Sequence, residues 1–294
     1  MSSSEHTVTW RELLLEATQA FRTAAIEEPA MDARRLVEQA SGAAPSDLVL
    51  LLDDSVTERS MNYFEQMVQR RCAGEPLQYV LGSWAFRSLD LMVDSRVLIP
   101  RPETEVVVEV ALAELDLLGA RDRSCQVVDL GTGSGAIGLS IAMERVRTQV
   151  LLTDRSSDAL NVATANIAGL GRAGARVSTQ LGSWFDALPL NLRGQVDMLI
   201  SNPPYVPTDE LLPDVVADWE PAEALRSGQD GTKDLRVLIL GAGEWLQKEG
   251  VLVCELSPEQ APTIHALAGT VFSHARIESD LTGRDRMLVA QGPL

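Results

Sequence analysis

A short apolar segment that runs into a glycine-rich turn and then into a helical segment restricts the fold of this chain most strongly. Residues 127–130 are apolar apart from one acid, residues 131–135 contain three alternating glycines, and residues 139–142 are apolar apart from Ser140 and have helical spacing. Glycines let the backbone turn sharply and let a ligand approach the main chain closely. A strand, a glycine loop and a helix in this order predict the first unit of a dinucleotide-type α/β fold.

The spacing of the glycines leaves the ligand of this loop open. Gly133, Gly135 and Gly138 fit the G-x-G-x-x-G spacing of nicotinamide-binding loops. Asp129 followed by Gly131, Gly133 and Gly135 instead resembles the S-adenosylmethionine loop of class I methyltransferases. That loop carries no pyrophosphate, so an acidic residue directly before it is acceptable.

A second acidic residue stands at the end of the next predicted strand. Residues 149–153 form this predicted strand, and Asp154 follows it, 25 positions after Asp129. An acid at this place can accept hydrogen bonds from both hydroxyls of a ribose. Asp154 could instead cap a helix that starts at Ser156 or Ser157. Its position at the strand end favours the ribose role.

The turn Asn202-Pro203-Pro204-Tyr205 directly follows residues 196–201, a mainly apolar segment that predicts a buried strand. The two prolines fix φ and donate no backbone hydrogen bond, so the strand must stop and the turn is stiff. Its carbonyl oxygens and the Asn202 amide can hold both hydrogens of a planar NH2 group, and Tyr205 can lie against the flat face of that group. The turn predicts a site for an amide or an exocyclic amine; a stiffened exit loop without a ligand is the alternative.

A third predicted strand, residues 176–181, leads towards Trp184. If the four strands are parallel, their carboxyl ends lie on one edge of the sheet, where ligands of open α/β sheets bind. The glycine loop, Asp154, Trp184 and Asn202 would then line one crevice. Trp184 could flank an adenine ring there, or it could be a core or lid residue.

The net charge of −17 argues against a nucleic-acid partner. Residues 1–85 carry 13 acids and 7 bases, and the remainder carries 29 acids and 18 bases, so the excess is spread along the chain. An acidic protein without a basic stripe repels phosphate backbones, and the nearest candidate for such a stripe is the pair Arg70-Arg71. A basic protein partner fits better, although plain solubility or a salt-adapted host would also account for the charge.

The compartment and the metal content follow from what the sequence lacks. No apolar stretch approaches the roughly 20 residues of a membrane span, and residues 1–6 are polar without a secretory leader. The three cysteines are far apart without metal spacing, which indicates a reducing cytoplasm. We expect a cytoplasmic monomer that binds no metal, and we assign no chemistry to His6, His265 or His274.

The rest of the chain divides into a helical part and an α/β part. Apolar stripes at helical spacing in residues 10–21, 33–40 and 61–68, with a stop at Gly42 and a cap at Thr57, predict a small bundle over residues 1–80. Residues 83–100 alternate and predict a hairpin with segments 84–87, 89–93 and 97–99. Helices are predicted at 102–115 and 233–246, a long functional connection at 206–231, and further strands at 251–256, 275–279 and 287–290, one of them antiparallel.

These features together resemble the HemK/PrmC family, the protein-(glutamine-N5) methyltransferases that act on peptide-chain release factors. The resemblance spans nearly the whole chain and rests on the glycine loop, the Asn-Pro-Pro-Tyr turn, and the segments 74–82, 98–105, 219–221 and 281–286. It implies a class I S-adenosylmethionine-dependent methyltransferase: a Rossmann-like α/β domain with a seven-stranded sheet whose last strand is antiparallel. It also implies an N-terminal α-helical docking domain (1–82), a β-hairpin linker (83–104) and a catalytic domain (105–294).

The family's reaction is methyl transfer from S-adenosylmethionine, which leaves S-adenosylhomocysteine, to the side-chain amide of the glutamine in the Gly-Gly-Gln tripeptide of a release factor. The resemblance implies catalytic roles for Asn202, Pro203 and Tyr205. It implies cofactor contacts from Asp129, Gly131, Thr132, Gly133, Ser134, Gly135, Asp154, Trp184 and Asn202. It implies substrate contacts from Asn202, Pro203, Pro204, Tyr205, Arg101, Glu103, Glu220 and Pro221.

One departure from the family lies after the fifth strand, where Glu255-Leu256-Ser257 replaces the usual Glu followed by His or Ile and then Gly. It leaves that loop open, though not the reaction. A methyltransferase for glutamine in a ribosomal protein is an alternative. An exocyclic-amine methyltransferase for nucleic acid would need a basic face, and a nicotinamide oxidoreductase leaves the Asn-Pro-Pro-Tyr turn unexplained. The last alternative is a cofactor-binding scaffold without activity.

Overall fold

Residues 8–294 are described by the computed structural model. The prediction that the chain lacks an N-terminal leader and the assignment for His6 lie outside these residues. The described residues up to Gly82 form one compact unit, and Ser83–Leu294 form a second. Within residues 8–294, no helix has both the length and the apolar character that crossing a bilayer requires.

Within residues 8–82 the first unit consists of five helices and their connections, as its apolar stripes predict. Thr9 caps the first helix in a capping box with Glu12, and the Thr57 hydroxyl accepts a hydrogen bond from the Ser60 N–H at the start of another helix. Gly42 ends the second helix with φ of 71°, a conformation that favours glycine. The helices are α1 (Trp10–Thr23), α2 (Pro29–Ser41), α3 (Leu48–Leu51), α4 (Glu58–Cys72) and α5 (Leu77–Leu81).

The predicted stripes of α1, α2 and α4 meet in one hydrophobic core. Trp10 and Phe64 contact edge to face with ring centroids 6.3 Å apart. Asp32 on α2 and Arg71 on α4 form a largely buried ion pair at 2.8 Å. An ion pair thus joins α2 and α4 beside their apolar contacts. The charge of Arg71 is neutralised within its own unit.

The second unit contains a two-stranded hairpin and a seven-stranded sheet with helices. Its helices are α6 (Pro102–Leu117), α7 (Ala136–Glu144), α8 (Ser157–Gly169), α9 (Asp214–Ala217), α10 (Ala222–Leu225), α11 (Lys233–Ala242) and α12 (Ala261–Ala268). Its strands are β1 (Ser83–Phe86), β2 (Leu89–Met92), β3 (Cys125–Leu130), β4 (Thr148–Asp154), β5 (Val177–Leu181), β6 (Val196–Ser201), β7 (Leu246–Glu255), β8 (Phe272–Ser279) and β9 (Asp285–Pro293).

The sheet has the order β5-β4-β3-β6-β7-β9-β8. The strands β5, β4, β3, β6 and β7 are parallel, and β9 runs antiparallel to both of its neighbours. The predicted α/β class, the seven strands and the antiparallel last strand are confirmed. The strand order reverses between β3 and β6, and open α/β sheets bind ligands at such a switch point.

Two sequence-based boundaries are wrong. Residues 97–99 are not a third hairpin segment, since the hairpin consists only of β1 and β2 and α6 already begins at Pro102. The helix predicted at 233–246 ends at Ala242, and Leu246 already belongs to β7. The 83–104 interval therefore contains a hairpin, an irregular buried segment and the first turn of a helix.

Candidate active site

The carboxyl ends of β3 and β6 lie side by side at the switch point. The Ser201 hydroxyl at the end of β6 donates a hydrogen bond to the Leu130 carbonyl at the end of β3, at 2.6 Å. Both strands are almost completely buried, so their ends have fixed positions. The glycine loop and the Asn-Pro-Pro-Tyr turn therefore leave the sheet next to each other, as their positions after parallel strands predict.

Asp129 lies beneath the glycine loop and shapes it from inside. Its Oδ2 accepts hydrogen bonds from the Thr132 hydroxyl at 2.7 Å and from the Gly138 N–H at 3.0 Å. Its side chain is 1% exposed, and burial raises its pKa to about 6. A Cβ at position 138 would clash with Leu152 and crowd Asp129, so the glycine there allows the helix to pack closely on β4. Asp129 thus organises the loop and does not line the cleft.

Asp154 stands at the end of β4 with its carboxylate beside the loop. Its Oδ2 accepts from the Gly133 N–H and its Oδ1 from the Ser156 N–H, both at 2.9 Å. The helix-cap alternative for Asp154 is wrong, because α8 begins at Ser157 and the Ser156 hydroxyl accepts from the Ala159 N–H as its N-cap. Burial raises the pKa of Asp154 above its ordinary value. Each carboxylate oxygen keeps a lone pair for a further donor.

Trp184 follows β5 and covers the glycine loop. A Cβ on Gly131 would lie 3.1 Å from the Trp184 ring, so the glycine permits this close approach. The indole N–H donates to Asp234 Oδ1 at 3.1 Å, and the backbone of Trp184 adopts a positive φ of 46°. The ring both packs on the core and lines the cleft, so the two alternatives for Trp184 are compatible.

One cleft of about 940 Å³, a volume that includes space open to solvent, collects most of the predicted cofactor residues. Its lining includes these predicted residues: Gly131, Thr132, Gly133, Ser134, Asp154, Trp184, Asn202, Pro204 and Pro221. The predicted residues outside the lining are Arg101, Glu103, Asp129, Gly135, Pro203, Tyr205 and Glu220. The structure thus brings the loop, the β4 acid and the turn together. Leu98, Pro100 and Thr104 of the upstream segment also line the cleft, whereas Arg101 and Glu103 do not.

Asn202 and Tyr205 are joined by two residues that the sequence did not single out: Thr104, which also lines the cleft, and Glu255, which lies outside its lining. The Asn202 side-chain NH2 donates to Thr104 Oγ1 at 3.2 Å, and the Thr104 hydroxyl donates to Glu255 Oε2 at 2.8 Å. The Tyr205 hydroxyl donates to Glu255 Oε1 at 3.2 Å. Glu255 is 1% exposed, and burial raises its pKa to about 7.

The predicted substrate residues Arg101 and Glu220 bind each other. The Arg101 guanidinium pairs with Glu220 Oε1, and the Ile99 N–H donates to Glu220 Oε2 at 3.1 Å. The Glu220 side chain is 2% exposed, which leaves no room for a substrate to reach its carboxylate. Glu103 is exposed on the first turn of α6. Arg101 and Glu220 therefore fasten the connection 206–231 to the segment before α6.

Asn166 on α8 is a further residue that sequence reasoning missed. Its amide NH2 donates to the Met92 carbonyl at 3.1 Å and to the Ser134 carbonyl at 2.8 Å, and its Oδ1 accepts from the Met92 N–H at 2.7 Å. The hairpin and the glycine loop are thus held by one side chain. No local pattern signals this role, whereas Thr104 and Glu255 stand in segments that the sequence had marked.

Comparisons with known proteins match both units. The family model for the PrmC N-terminal domain matches residues 12–82, and that for the methyltransferase small domain matches residues 111–228. The release factor glutamine methyltransferase of Moorella thermoacetica is 38% identical over 96% of this chain and 98% of its own length. The protein with the same name from Xylella fastidiosa is 42% identical over 78% of this chain and 81% of its own length.

A solved structure supports the fold independently. The hMettl16 catalytic domain, in complex with MAT2A 3'UTR hairpin 6, aligns with a TM-score of 0.51 at 14% identity, over 81% of this chain and 82% of that chain. At this identity the likeness concerns the fold alone, and it agrees with the methyltransferase domain match. With a class I methyltransferase fold and relatives that align over nearly the whole length, the chain belongs to the release factor glutamine methyltransferase family.

Proposed function

We propose that the protein transfers a methyl group from S-adenosylmethionine to the side-chain amide nitrogen of the glutamine in the Gly-Gly-Gln tripeptide of peptide-chain release factors. Family membership supports this reaction. The observation that carries it is the placement of Asn202 in the cleft wall, beside the glycine loop, with its NH2 turned to Thr104. Its side-chain oxygen then faces away from Thr104 and is available to accept a hydrogen bond.

The residues around the cleft fit S-adenosylmethionine. Gly131 and Gly133 have positive φ angles and line the cleft, and because they lack a Cβ, a nucleoside and an amino-acid group can approach the main chain there. The Asp154 carboxylate retains acceptor capacity for ribose hydroxyls, and the Trp184 ring offers a flat face for an adenine. We assign cofactor contacts to Gly131, Thr132, Gly133, Ser134, Asp154 and Trp184, and a supporting role below the loop to Asp129.

Positioning supplies most of the catalysis in this proposal. An amide nitrogen is a poor nucleophile because its lone pair is delocalised into the carbonyl, and S-adenosylmethionine, when bound, supplies a methyl group activated by its sulfonium. Asn202 Oδ1 and the Pro203 carbonyl accept the two N–H hydrogens of the target amide. They orient its nitrogen and favour the positive charge that develops on it. Alignment of two reactants can contribute roughly 7–11 kcal/mol.

The rigid turn and Tyr205 complete the amide site. Pro203 and Pro204 hold the turn stiff, and Tyr205 is anchored by its hydroxyl on Glu255 and by its carbonyl, which accepts from the Gln260 amide at 2.8 Å. We propose that the Tyr205 ring packs against the plane of the target amide. No residue is assigned as a base, and the proton leaves to solvent after the transfer.

A protein substrate fits the charge of this chain better than a nucleic acid. The pair Arg70-Arg71 is neutralised, since Arg71 binds Asp32 and Arg70 binds Glu75 at 2.5 Å. We propose that residues 1–82 dock the release factor, that the following unit carries out the transfer, and that both work in the cytoplasm, where the free cysteines remain reduced. The same amide site would accept a glutamine of a ribosomal protein, so the choice between these two protein substrates is left to the experiment below.

The decisive experiment offers both kinds of substrate at once. The protein is incubated with isotope-labelled S-adenosylmethionine and a cell extract, and the labelled residue is identified by mass spectrometry. We expect the label on the glutamine of a release factor Gly-Gly-Gln segment. A purified release factor with that glutamine replaced by alanine is the matched control and should remain unlabelled. Label on a ribosomal protein or on nucleic acid would contradict the proposal.

A further inference from the structure

The Asn202 amide is held by a hydrogen-bond relay that ends on a buried acid. The relay runs from Asn202 to the Thr104 hydroxyl and from there to Glu255, which also receives the Tyr205 hydroxyl. Thr104 is 3% exposed and Glu255 is 1% exposed, so solvent does not compete for these bonds. The three supporting contacts join α6, β7 and the turn after β6, which are far apart in the chain.

The chemistry of the relay fixes its direction. An ionised carboxylate only accepts hydrogen bonds, so both hydroxyls must donate to Glu255. The Thr104 hydroxyl has a single hydrogen and uses it there, so towards Asn202 it can only accept. The amide of Asn202 must then present its NH2 to Thr104 and keep its oxygen for another donor. The orientation of an asparagine amide, which its shape alone does not determine, is thereby set by the neighbouring Thr104 hydroxyl.

We propose that Glu255 and Thr104 are positioning residues for methyl transfer: the Glu255 carboxylate, acting through the Thr104 hydroxyl, holds the Asn202 amide with its oxygen free to accept from the target amide. This inference rests on the proposed function. Through the Tyr205 hydroxyl the same carboxylate fixes the second side chain of the turn. Glu255 lies outside the cleft lining and Thr104 uses its one hydroxyl hydrogen on Glu255, so we assign neither residue a contact with the substrate.

Protonation of Glu255 would undo this orientation. A neutral carboxyl can donate to the Thr104 hydroxyl, which then donates to Asn202 and allows the amide to turn over. The charged groups that act on Glu255 are Arg286 from β9, which lowers its pKa, and Glu103 from α6, which raises it together with burial. Since burial dominates and the pKa lies at about 7, the relay is intact above neutral pH and weakens below it.

The test separates orientation from turnover with two substitutions at Thr104. Thr104→Val keeps the shape and removes the hydroxyl, and Thr104→Ser keeps the hydroxyl. Thr148→Val is the matched control, because Thr148 is also fully buried and its hydroxyl donates to the Arg145 carbonyl at the opposite end of β4. Substrate-free NMR of ¹⁵N-labelled asparagine side chains, with the Asn202 signals assigned through Asn202→Asp, reports the amide directly.

We expect the Asn202 NH2 signals to shift and to exchange faster with water in Thr104→Val, and to stay close to the wild type in Thr104→Ser and Thr148→Val. With a Gly-Gly-Gln peptide, kcat of Thr104→Val should fall by about 10- to 100-fold, the scale of a misplaced reacting group. The KM for S-adenosylmethionine should change less than twofold. Thr104→Ser should restore turnover, and Glu255→Gln should lose the rise of kcat with pH near neutrality.

Unchanged Asn202 signals in Thr104→Val, or a kcat of Thr104→Val equal to that of Thr148→Val, would overturn the inference. The NMR measurement needs no methyl acceptor. Failure of the wild type to methylate glutamine would therefore contradict the proposed function alone, while the signals of the three variants still decide whether Thr104 orients Asn202.

Discussion

Asn202 is the residue on which the amide site depends most directly. Its replacement by alanine removes the side-chain oxygen proposed to accept from the target and leaves the stiff turn in place. We expect kcat to fall at least ~10²-fold, the scale of losing one preorganised polar contact to a transition state. The assay uses labelled S-adenosylmethionine and a Gly-Gly-Gln peptide. Asn191→Ala is the control, because Asn191 is exposed and lies outside the cleft lining. Near-normal turnover by Asn202→Ala would refute the assignment.

The raised pKa of Glu255 makes the free energy of unfolding depend on pH. Its folded pKa of about 7 lies above the ordinary value of 4.5 because burial penalises the charge. A carboxyl with a raised pKa favours the folded state at low pH, and this contribution is lost as pH rises from about 4.5 to about 7. A shift of this size corresponds to something on the order of 3 kcal/mol. Glu255→Gln does not titrate, so it escapes this loss.

We therefore expect the melting temperature of Glu255→Gln relative to the wild type to be higher at pH 8 than at pH 5. Thermal unfolding of both proteins at the two pH values provides the measurement. The contributions of other raised carboxyls, such as Asp129, cancel in the comparison. A difference between variant and wild type that does not depend on pH would show that Glu255 keeps an ordinary pKa in the folded protein.

Single residues were predictable where a strand end determined their place. Asp154 and Asn202 each follow an apolar strand, and parallel strands bring such positions to one edge. Thr104 and Glu255 were not predictable, because their hydrogen bond joins residues 151 positions apart. Both had appeared in notable segments, but only the packing of α6 on the sheet shows that the hydroxyl meets the acid.

At the scale of elements, the connection 206–231 is held in place by contacts at Glu220 and Glu223. Glu220 takes hydrogen bonds from Arg101 and from the Ile99 N–H, and Arg155 donates to the Glu223 carbonyl at 3.1 Å. Pro221 and Ala224 line the cleft. The ties therefore hold one wall of the cleft against the segment that precedes α6.

We expect Glu220→Ala to loosen this wall. The substitution leaves a guanidinium and a buried N–H without their acceptor; breaking a buried pair costs about 3–5 kcal/mol. We expect the free energy of unfolding to fall by a smaller amount, about 2 kcal/mol, because the Arg101 side chain is 34% exposed and can be solvated by water. Hydrogen exchange measured by mass spectrometry should accelerate across 206–231 while β3 stays protected. Glu223→Ala removes an exposed ion-pair partner in the same connection and should change exchange little. Equal acceleration in both variants would contradict the proposal that the contacts of Glu220 with Arg101 and Ile99 hold this connection in place.

The error at residues 97–99 shows where pattern reasoning on elements fails. Val97 and Ile99 are buried, which explains the alternation that predicted a strand. Their N–H groups, however, bond to the Asp94 carbonyl and to the Glu220 side chain, so neither enters a strand ladder. Alternating burial thus arose from a coil segment fixed by a distant carboxylate, and no local pattern distinguishes the two cases.

For the whole molecule, the order of strands and helices was predictable in outline. A glycine loop after a strand and several strand–helix repeats leave few arrangements, because parallel crossovers are right-handed. The reversal of strand order between β3 and β6 was not visible in the sequence. The expected crevice was inferred only from parallel strands, whose carboxyl ends lie on one edge of the sheet. The division at Gly82 concerns function as well as fold, since the two units carry different proposed roles.

Removal of residues 1–82 tests those roles. If the helical unit docks the release factor, Ser83–Leu294 alone should methylate a short Gly-Gly-Gln peptide at a rate within a few-fold of the full chain. On the intact release factor its KM should rise at least about tenfold, equivalent to about 1.4 kcal/mol of lost binding. The affinity for S-adenosylmethionine, measured by calorimetry, is the control for folding of the truncated chain, since all of the cleft lining lies in Ser83–Leu294. With that affinity retained, an equal loss of activity on peptide and on intact release factor would show that the helical unit supports the catalytic unit and does not select its substrate.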